Sequence, residues 1–163
     1  PPQAKEAFRK AAAAAHKAGR KVSLTLSDPF CVSRHRDSFL ELLRGHVDIL
    51  FANDAELIAL YQENDFETAL TRIAKDCPVA AVTMSEQGAV VVGGGKTARI
   101  PAAKVKQVVD TTGAGDLFAA GFLWAYTQGR DLPACGRAGA IAAAEVIQHI
   151  GPRPQRSLKP LVA

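Results

Sequence analysis

A stretch of seven residues combines the features of a phosphate-binding turn with a carboxylate, a group that would repel a bound phosphate. It is DTTGAGD, residues 110–116, and it lies between an apolar Val-Val pair and the apolar run Leu117 to Tyr126. This order predicts a strand, a glycine-rich turn and a helix. Gly113 and Gly115 permit backbone angles closed to other residues and close approach of a ligand. The first N–H groups of a helix lack partners within it and carry partial positive charge, which favours bound anions.

Asp116 is the unusual member of the stretch, because a carboxylate beside an anion repels it. The charge is explained if Asp116 accepts a proton from a hydroxyl that attacks the bound anion. The alternative is an ordinary glycine-rich turn in which the aspartate only caps the helix.

All seven positions match the second signature of the ribokinase, or PfkB, family of sugar and nucleoside kinases, which the stretch therefore resembles. The resemblance implies transfer of the γ-phosphoryl group of ATP to a primary hydroxyl, with Asp116 as the proton acceptor. It also implies that the N–H groups of Gly113, Ala114, Gly115 and Asp116 stabilise charge on the phosphoryl oxygens. Thr111 is implied as a further nucleotide-binding residue.

Asn53 and Glu56 resemble a second family element, NxxE, at the start of a predicted helix. Their spacing places them on one face of the first turn. By resemblance, the pair orders Mg²⁺ and the nucleotide phosphates largely through water, which suits a metal that retains its hydration. The alternative is a capping box, in which the two residues only satisfy backbone groups of the helix.

Two further segments resemble parts of the family's nucleotide site. Thr83, Ser85 and Gly88 occupy the positions of its TxGxxG turn, with serine where the family usually has glycine. Gly139 and Ala143 fall in an alanine-rich helix that resembles the wall of the adenine pocket. Close packing between helices accounts for the small residues equally well.

Family members often bind a monovalent cation beside the anion-binding turn. Asp110 and Thr112 fall at the matching positions, together with carbonyl groups near Val146, His149 and Gly151. The resemblance therefore implies ATP and Mg²⁺ as cofactors, with K⁺ as a further candidate.

Strands alternate with helices along the chain, which predicts a parallel, helix-covered sheet. The family fold that this matches is a ribokinase-like three-layer α/β/α arrangement with a mainly parallel central sheet. We predict a single α/β domain over residues 1–163 with a surface tail at 152–163. Predicted strands include 21–27, 47–52, 79–83 and 105–109, and a predicted hairpin joins 88–92 to 96–100. The predicted helices span residues 4–18, 37–44, 54–61, 66–75, 116–128 and 132–149.

Composition restricts the class of protein. Of the 163 residues, 48% are hydrophobic and 22% charged, as in globular domains, and no run is long enough for a transmembrane helix. The net charge of +4 is spread along the chain without a basic, aromatic-rich stripe, which argues against nucleic-acid binding. Three widely spaced cysteines have no metal-binding spacing, and they favour a reducing cytoplasm and burial as small apolar residues.

The resemblance covers nearly the whole chain but only the C-terminal part of a family member. The N-terminal part and the β lid have no counterpart, so we expect half an active site and poor activity from these residues alone. Residues 137–139 and 151–154 favour the adenosine-kinase-like branch, with adenosine or a related nucleoside as the acceptor. A ribokinase- or fructokinase-type sugar kinase and a non-catalytic nucleotide-binding or regulatory relative are the alternatives.

Overall fold

Strands and helices alternate through the first half of the chain, as the sequence predicts. The computed structural model describes the backbone of residues 2–162 and the side chains of residues 3–162. Two compact units are present: Pro1–Val82 with Gly93–Gly95, and Thr83–Val92 with Lys96–Ala163.

Three strands and four helices make up the first unit. In chain order they are α1 (Pro2–Lys17), β1 (Ser23–Thr25), α2 (Pro29–His46), β2 (Ile49–Asn53), α3 (Asp54–Tyr61), α4 (Phe66–Asp76) and β3 (Val79–Thr83). β1 pairs with β2 in parallel, in the register Ser23 to Ile49 and Thr25 to Phe51. β2 and β3 are almost wholly buried, which explains their continuous apolar sequence.

Helix α2 begins eight residues before its predicted start at residue 37. Asp28 is its N-cap and accepts a hydrogen bond from the Cys31 N–H at 2.8 Å, and Pro29 occupies the first helical position. Asp28-Pro29 therefore starts the helix, and the predicted start at residue 37 was wrong. A kink at His35, with φ of −123°, divides α2 and interrupts its apolar periodicity.

Three helices and the strands of a hairpin, without its turn at Gly93–Gly95, make up the second unit. They are β4 (Ala89–Gly93), β5 (Lys96–Ile100), α5 (Ala114–Thr127), α6 (Leu132–Val146) and α7 (Lys159–Val162). Gly94 and Gly95, both with positive φ, form the two-residue turn between the strands. Asp131 caps α6 by accepting from the Ala134 N–H at 2.7 Å.

The predicted strand at residues 105–109 was wrong. Residues 101–110 form no strand, and Val108 and Val109 are 59% and 44% exposed. The Val109 N–H instead donates to the Ile147 carbonyl at 2.8 Å, just after α6. The backbone of this segment therefore bonds to the end of a helix and not to a neighbouring strand, so the apolar Val-Val pair forms no strand.

Glycines allow α5 and α6 to pack closely. A Cβ built on Gly121 would lie 2.5 Å from the Ala138 carbonyl oxygen, and one on Gly139 would lie 2.7 Å from that of Phe118. The backbones of the two helices are therefore nearly in contact, which fixes the direction of α5 and of its N-terminus.

Other predictions concern the surface and the cysteines. Within residues 2–162, the helices are all too short or too polar to cross a membrane. Cys77 and Cys135 are buried as predicted, whereas Cys31 is exposed. Residues 152–157 are exposed, and Val162 in α7 is buried.

Candidate active site

Gly113 shapes the turn that precedes α5. It is the N-cap of the helix, with φ of 81° and ψ of 0°, a left-handed conformation that disfavours any side chain. A Cβ built on it would lie 2.8 Å from Pro152 Cβ. Glycine is therefore required here both by the backbone conformation and by the contact with Pro152.

The N-terminus of α5 presents backbone donors at the protein surface. The Ala114 N–H donates to the Thr111 carbonyl at 3.1 Å, and the Leu117 N–H donates to that of Gly113 at 2.9 Å. Between them, the N–H groups of Gly115 and Asp116 have no acceptor among residues 2–162. These two groups are therefore available to an anion, whereas that of Ala114 already has a partner.

Asp116 lies in the first turn of α5 and is exposed. Its side chain sits on the same turn as the two available N–H groups. An anion at this helix end would therefore lie beside a carboxylate that can accept a proton.

Asp110 is held as an anion by the backbone around it. Its Oδ1 accepts from the Thr112 N–H and its Oδ2 from the Gly151 N–H, both at 2.9 Å. Hydrogen bonds from the Thr112 side chain, from Gly151 and from the Thr112 backbone lower the pKa of Asp110 to about 2. A carboxylate that remains charged at all physiological pH values is a suitable ligand for a monovalent cation.

The turn after β3 is tightly built. Thr83 ends the strand, and Ser85–Gln87 form a 3₁₀ turn closed by the Met84 N–H donating to the Gly88 carbonyl at 2.7 Å. Ser85 is exposed and adopts φ of 50°, the left-handed conformation for which glycine is better suited. The serine thus keeps the backbone conformation that a glycine would adopt.

Gly88 has no room for a side chain. Its φ is 89°, and a Cβ would lie 2.0 Å from the Ile100 carbonyl oxygen. We expect Gly88→Ala to lower the free energy of unfolding by about 3 kcal/mol or more, since backbone strain and overpacking each cost about 1–3 kcal/mol.

Gly94→Ala is the matched control for that substitution. Gly94 also has positive φ, at 58°, but no atom lies within 4 Å of its Cβ position. It should lose only about 1–2 kcal/mol in denaturant titrations. Equal losses in the two variants would contradict the packing argument.

Gly139 and Ala143, predicted to line a nucleobase pocket, lie in different surroundings on α6. Gly139 is buried against Phe118 of α5, so close helix packing accounts for this glycine. Ala143 is partly exposed and leaves its side of the helix accessible. A role for either residue in binding a base stays a prediction.

In the first unit, Asn53 and Glu56 form the predicted capping box. The Glu56 N–H donates to Asn53 Oδ1 at 2.8 Å, and the Asn53 N–H donates to Glu56 Oε2 at 2.9 Å. Asn53 Nδ2 also donates to Glu56 Oε1 at 3.0 Å. Each carboxylate oxygen of the buried Glu56 therefore has one protein donor and retains a lone pair for a water molecule.

Burial raises the pKa of Glu56 above its usual value. The hydrogen bond from the Asn53 backbone opposes this rise by a smaller amount, and electrostatic interaction with Asp28 and Asp54 adds to it. A raised pKa in the folded state favours folding most below the unfolded value, and this contribution declines as the pH rises through the folded value. We therefore expect the free energy of unfolding of Glu56→Gln, relative to the wild type, to increase between pH 4 and pH 7.

Urea titrations at both pH values, with EDTA present, would measure that difference. Glu56→Ala also lacks the carboxyl group, so it should show the same change with pH, but it should be about 1 kcal/mol less stable than Glu56→Gln at both pH values because it removes one arm of the capping box. A stability difference between Glu56→Gln and wild type that does not change with pH would contradict this account.

Comparison with known proteins agrees with the fold. Residues 1–158 match the model of the pfkB family carbohydrate kinases. The chain is 36% identical over 115 residues to an uncharacterised sugar kinase of Archaeoglobus fulgidus, covering 70% of this chain and 45% of that one.

Two solved structures are more similar. A probable sugar kinase from Rhizobium etli superimposes with a TM-score of 0.94 at 57% identity, covering 97% of this chain and 48% of that one. The adenosine kinase from Sinorhizobium meliloti superimposes with a TM-score of 0.93 at 55% identity, covering 97% and 49%.

The chain therefore belongs to the pfkB family of carbohydrate kinases, and the prediction of a ribokinase-like α/β fold is confirmed. It spans about half the length of the relatives it matches.

The sequence analysis did not identify Glu145 and Pro152, which lie near residues 110–113 or near the segment that contacts them. Glu145 and Glu56 are the buried charged residues of the described chain, and Glu145 lies near the end of α6. Pro152 packs against Gly113, and Gly151 donates to Asp110. The family resemblance placed Gly151 near Asp110, but nothing in the sequence indicates that Glu145 or Pro152 lies near residues 110–113.

Proposed function

We propose that this chain carries the nucleotide-binding and phosphotransfer residues of an ATP-dependent kinase that acts on a primary hydroxyl of a nucleoside or sugar. One observation supports this most directly: the available N–H groups of Gly115 and Asp116 lie on the same helical turn as the Asp116 carboxylate. Membership of the pfkB family supports the same reaction.

In the proposed reaction the acceptor oxygen attacks the γ-phosphorus of ATP, and the bond from that phosphorus to the bridging oxygen of ADP breaks. Asp116 takes the proton that the acceptor hydroxyl loses. The N–H groups of Gly115 and Asp116, together with that of Gly113, stabilise the negative charge on the transferring oxygens. The N–H group of Ala114 contributes once it leaves the Thr111 carbonyl.

Mg²⁺, when bound, neutralises charge on the nucleotide phosphates. Within residues 2–162 no group of three or more His, Cys, Asp or Glu side chains is placed to hold a metal. Asn53 and Glu56 could hold the ion only through water, because their polar atoms already form hydrogen bonds with each other. Asp110, with Thr112, fits a monovalent cation such as K⁺ because its carboxylate stays charged.

Adenosine or a related nucleoside is the acceptor we favour. The support is 55% identity to the adenosine kinase of Sinorhizobium meliloti, spread over 97% of this chain. The comparable match to a probable sugar kinase from Rhizobium etli supports a sugar as the second candidate. A reducing cytoplasm is the proposed compartment, in keeping with three free cysteines.

An acceptor panel tests the proposed function. The full-length native polypeptide would be assayed for ADP release with Mg²⁺ and K⁺, against adenosine, inosine, cytidine, ribose and fructose. We expect release with adenosine or another nucleoside and little with the free sugars. Release only with a sugar would move the assignment to the second candidate, and ATP binding without release for any acceptor would favour a non-catalytic relative.

A further inference from the structure

We propose that Glu145 is a positioning residue for the phosphate-binding turn: it anchors a strap, residues 151–156, whose opposite end holds residues 110–113 in place. The inference rests on the proposed function, because it assigns Glu145 a part in the same reaction. The second unit contains all of these residues.

Glu145 is costly for the fold to bury. It is 5% exposed, and its Oε2 has no hydrogen-bond partner among the described residues. His149 Nε2 lies 3.5 Å from that oxygen, and neither ring nitrogen of His149 has a hydrogen-bond partner there. Burying a carboxyl group with incomplete hydrogen bonding destabilises a fold, so Glu145 at this position calls for a specific explanation.

The other oxygen of Glu145 provides that explanation. Oε1 accepts from the Gln155 N–H at 3.2 Å, and Arg156 Nε lies 3.9 Å from the same oxygen. The chain leaves α6, runs outward through residues 147–152, and returns to the side chain of Glu145. The carboxylate thus closes a loop around the end of its own helix, between two residues that are 10 positions apart in the sequence.

The outward part of this loop contacts the phosphate-binding turn at three points. The Ile147 carbonyl accepts from the Val109 N–H at 2.8 Å, and the Gly151 N–H donates to Asp110 Oδ2 at 2.9 Å. Pro152 occupies the space beside Gly113. Because residues 101–110 belong to no strand, these contacts take the place of a sheet in fixing the turn.

The strap is exposed from residue 152 to its last residue, 156, so its side chains are little buried. Its return to Glu145 is therefore one of the contacts that fix where Gly151 and Pro152 lie, and it is the contact made within the strap. If Glu145 releases Gln155, the turn loses its support, and the N–H groups of Gly115 and Asp116 move away from the transferring phosphoryl group. Misplacement of about 1 Å in such a site costs up to about a hundredfold in rate.

Four variants of the full-length native polypeptide test the proposal, with amide hydrogen exchange and steady-state kinetics as readouts. Glu145→Ala removes the acceptor of the Gln155 N–H, whereas Glu145→Gln retains one. Gln155→Pro removes the donor from an exposed position, so it tests the strap even if Glu145→Ala fails to fold. Gln155→Ala keeps the N–H and is its matched control.

We expect Glu145→Ala and Gln155→Pro to speed exchange of the hydrogen-bonded amides of Val109, Thr112 and Ala114 by at least about tenfold. The kcat of both should fall at least about tenfold, with the KM of the acceptor within about twofold of wild type. Glu145→Gln and Gln155→Ala should stay within about threefold of wild type in both measurements. A general loss of stability would instead speed the exchange of amides throughout the fold, not only of those at residues 109–114.

Asp131→Ala supplies the stability control at the other end of α6. It removes the helix cap and should lower the melting temperature by a few degrees, without changing kcat and without speeding exchange at residues 109–114 more than elsewhere in the fold. Wild-type exchange and kcat in folded Glu145→Ala or Gln155→Pro would overturn the proposal. If the wild type phosphorylates no acceptor, the proposed function fails, and the exchange data still decide whether Glu145 holds the turn.

Discussion

Asp116→Asn should lower kcat by at least about a hundredfold, the scale of a lost general base. Asparagine has nearly the shape of aspartate but cannot take the acceptor proton. The binding of ATP should persist, because the N–H groups of Gly115 and Asp116 are backbone groups that the substitution leaves in place. Steady-state kinetics with the accepted nucleoside, together with titration of ATP binding, would measure both effects.

Asp131→Asn is the matched control for that experiment. Asp131 is also an aspartate at a helix N-terminus, where asparagine caps as well as aspartate does. It should leave kcat and thermal stability near wild type. A loss of tenfold or less in Asp116→Asn, with ATP binding intact, would exclude Asp116 as the base.

Alanine at Gly113 and at Gly115 should separate folding from function. Gly113→Ala places a Cβ 2.8 Å from Pro152 Cβ at a residue with φ of 81°, and should lower the free energy of unfolding by about 1–3 kcal/mol. Gly115 has no positive φ, and no atom lies within 4 Å of its Cβ position. Gly115→Ala should therefore fold normally, with up to about 1 kcal/mol of added helix stability.

Activity should nevertheless fall in Gly115→Ala, by at least about tenfold in kcat/KM. The open space beside Gly115 is where we expect the phosphoryl group to approach the backbone, and a methyl group would keep it away from the N–H donors. Thermal unfolding and kinetics on the same preparation would test this. Full activity in Gly115→Ala would show that the phosphoryl group does not approach at this residue.

Local chemistry made parts of this structure predictable from the sequence. The capping box of Asn53 and Glu56 and the cap of α6 by Asp131 depend on residues within one helical turn. The hairpin turn at Gly94-Gly95 likewise follows from two residues that permit positive φ. Such features need no knowledge of distant contacts.

Long-range contacts made other parts unpredictable. The apolar pair Val108-Val109 predicted a strand, but the backbone there pairs with the end of α6, nearly forty residues later in the chain. Glu145 reads in sequence as an ordinary polar residue of an alanine-rich helix, and only the folded chain shows that it is buried. The helix N-terminus at residues 113–116 could therefore be predicted from its own residues, whereas Glu145 and Pro152, which lie against this region, could not.

The most direct test of the account is to identify the product of the reaction. The full-length native polypeptide would be incubated with ATP, Mg²⁺, K⁺ and adenosine, with Asp116→Asn in parallel, and the products analysed by mass spectrometry. The account predicts adenosine monophosphate carrying its phosphate on the primary hydroxyl, formed together with ADP by the wild type and at least about a hundredfold more slowly by the variant. Equal rates of product formation by the two proteins would contradict it, as would wild-type protein that binds ATP and phosphorylates neither nucleosides nor sugars.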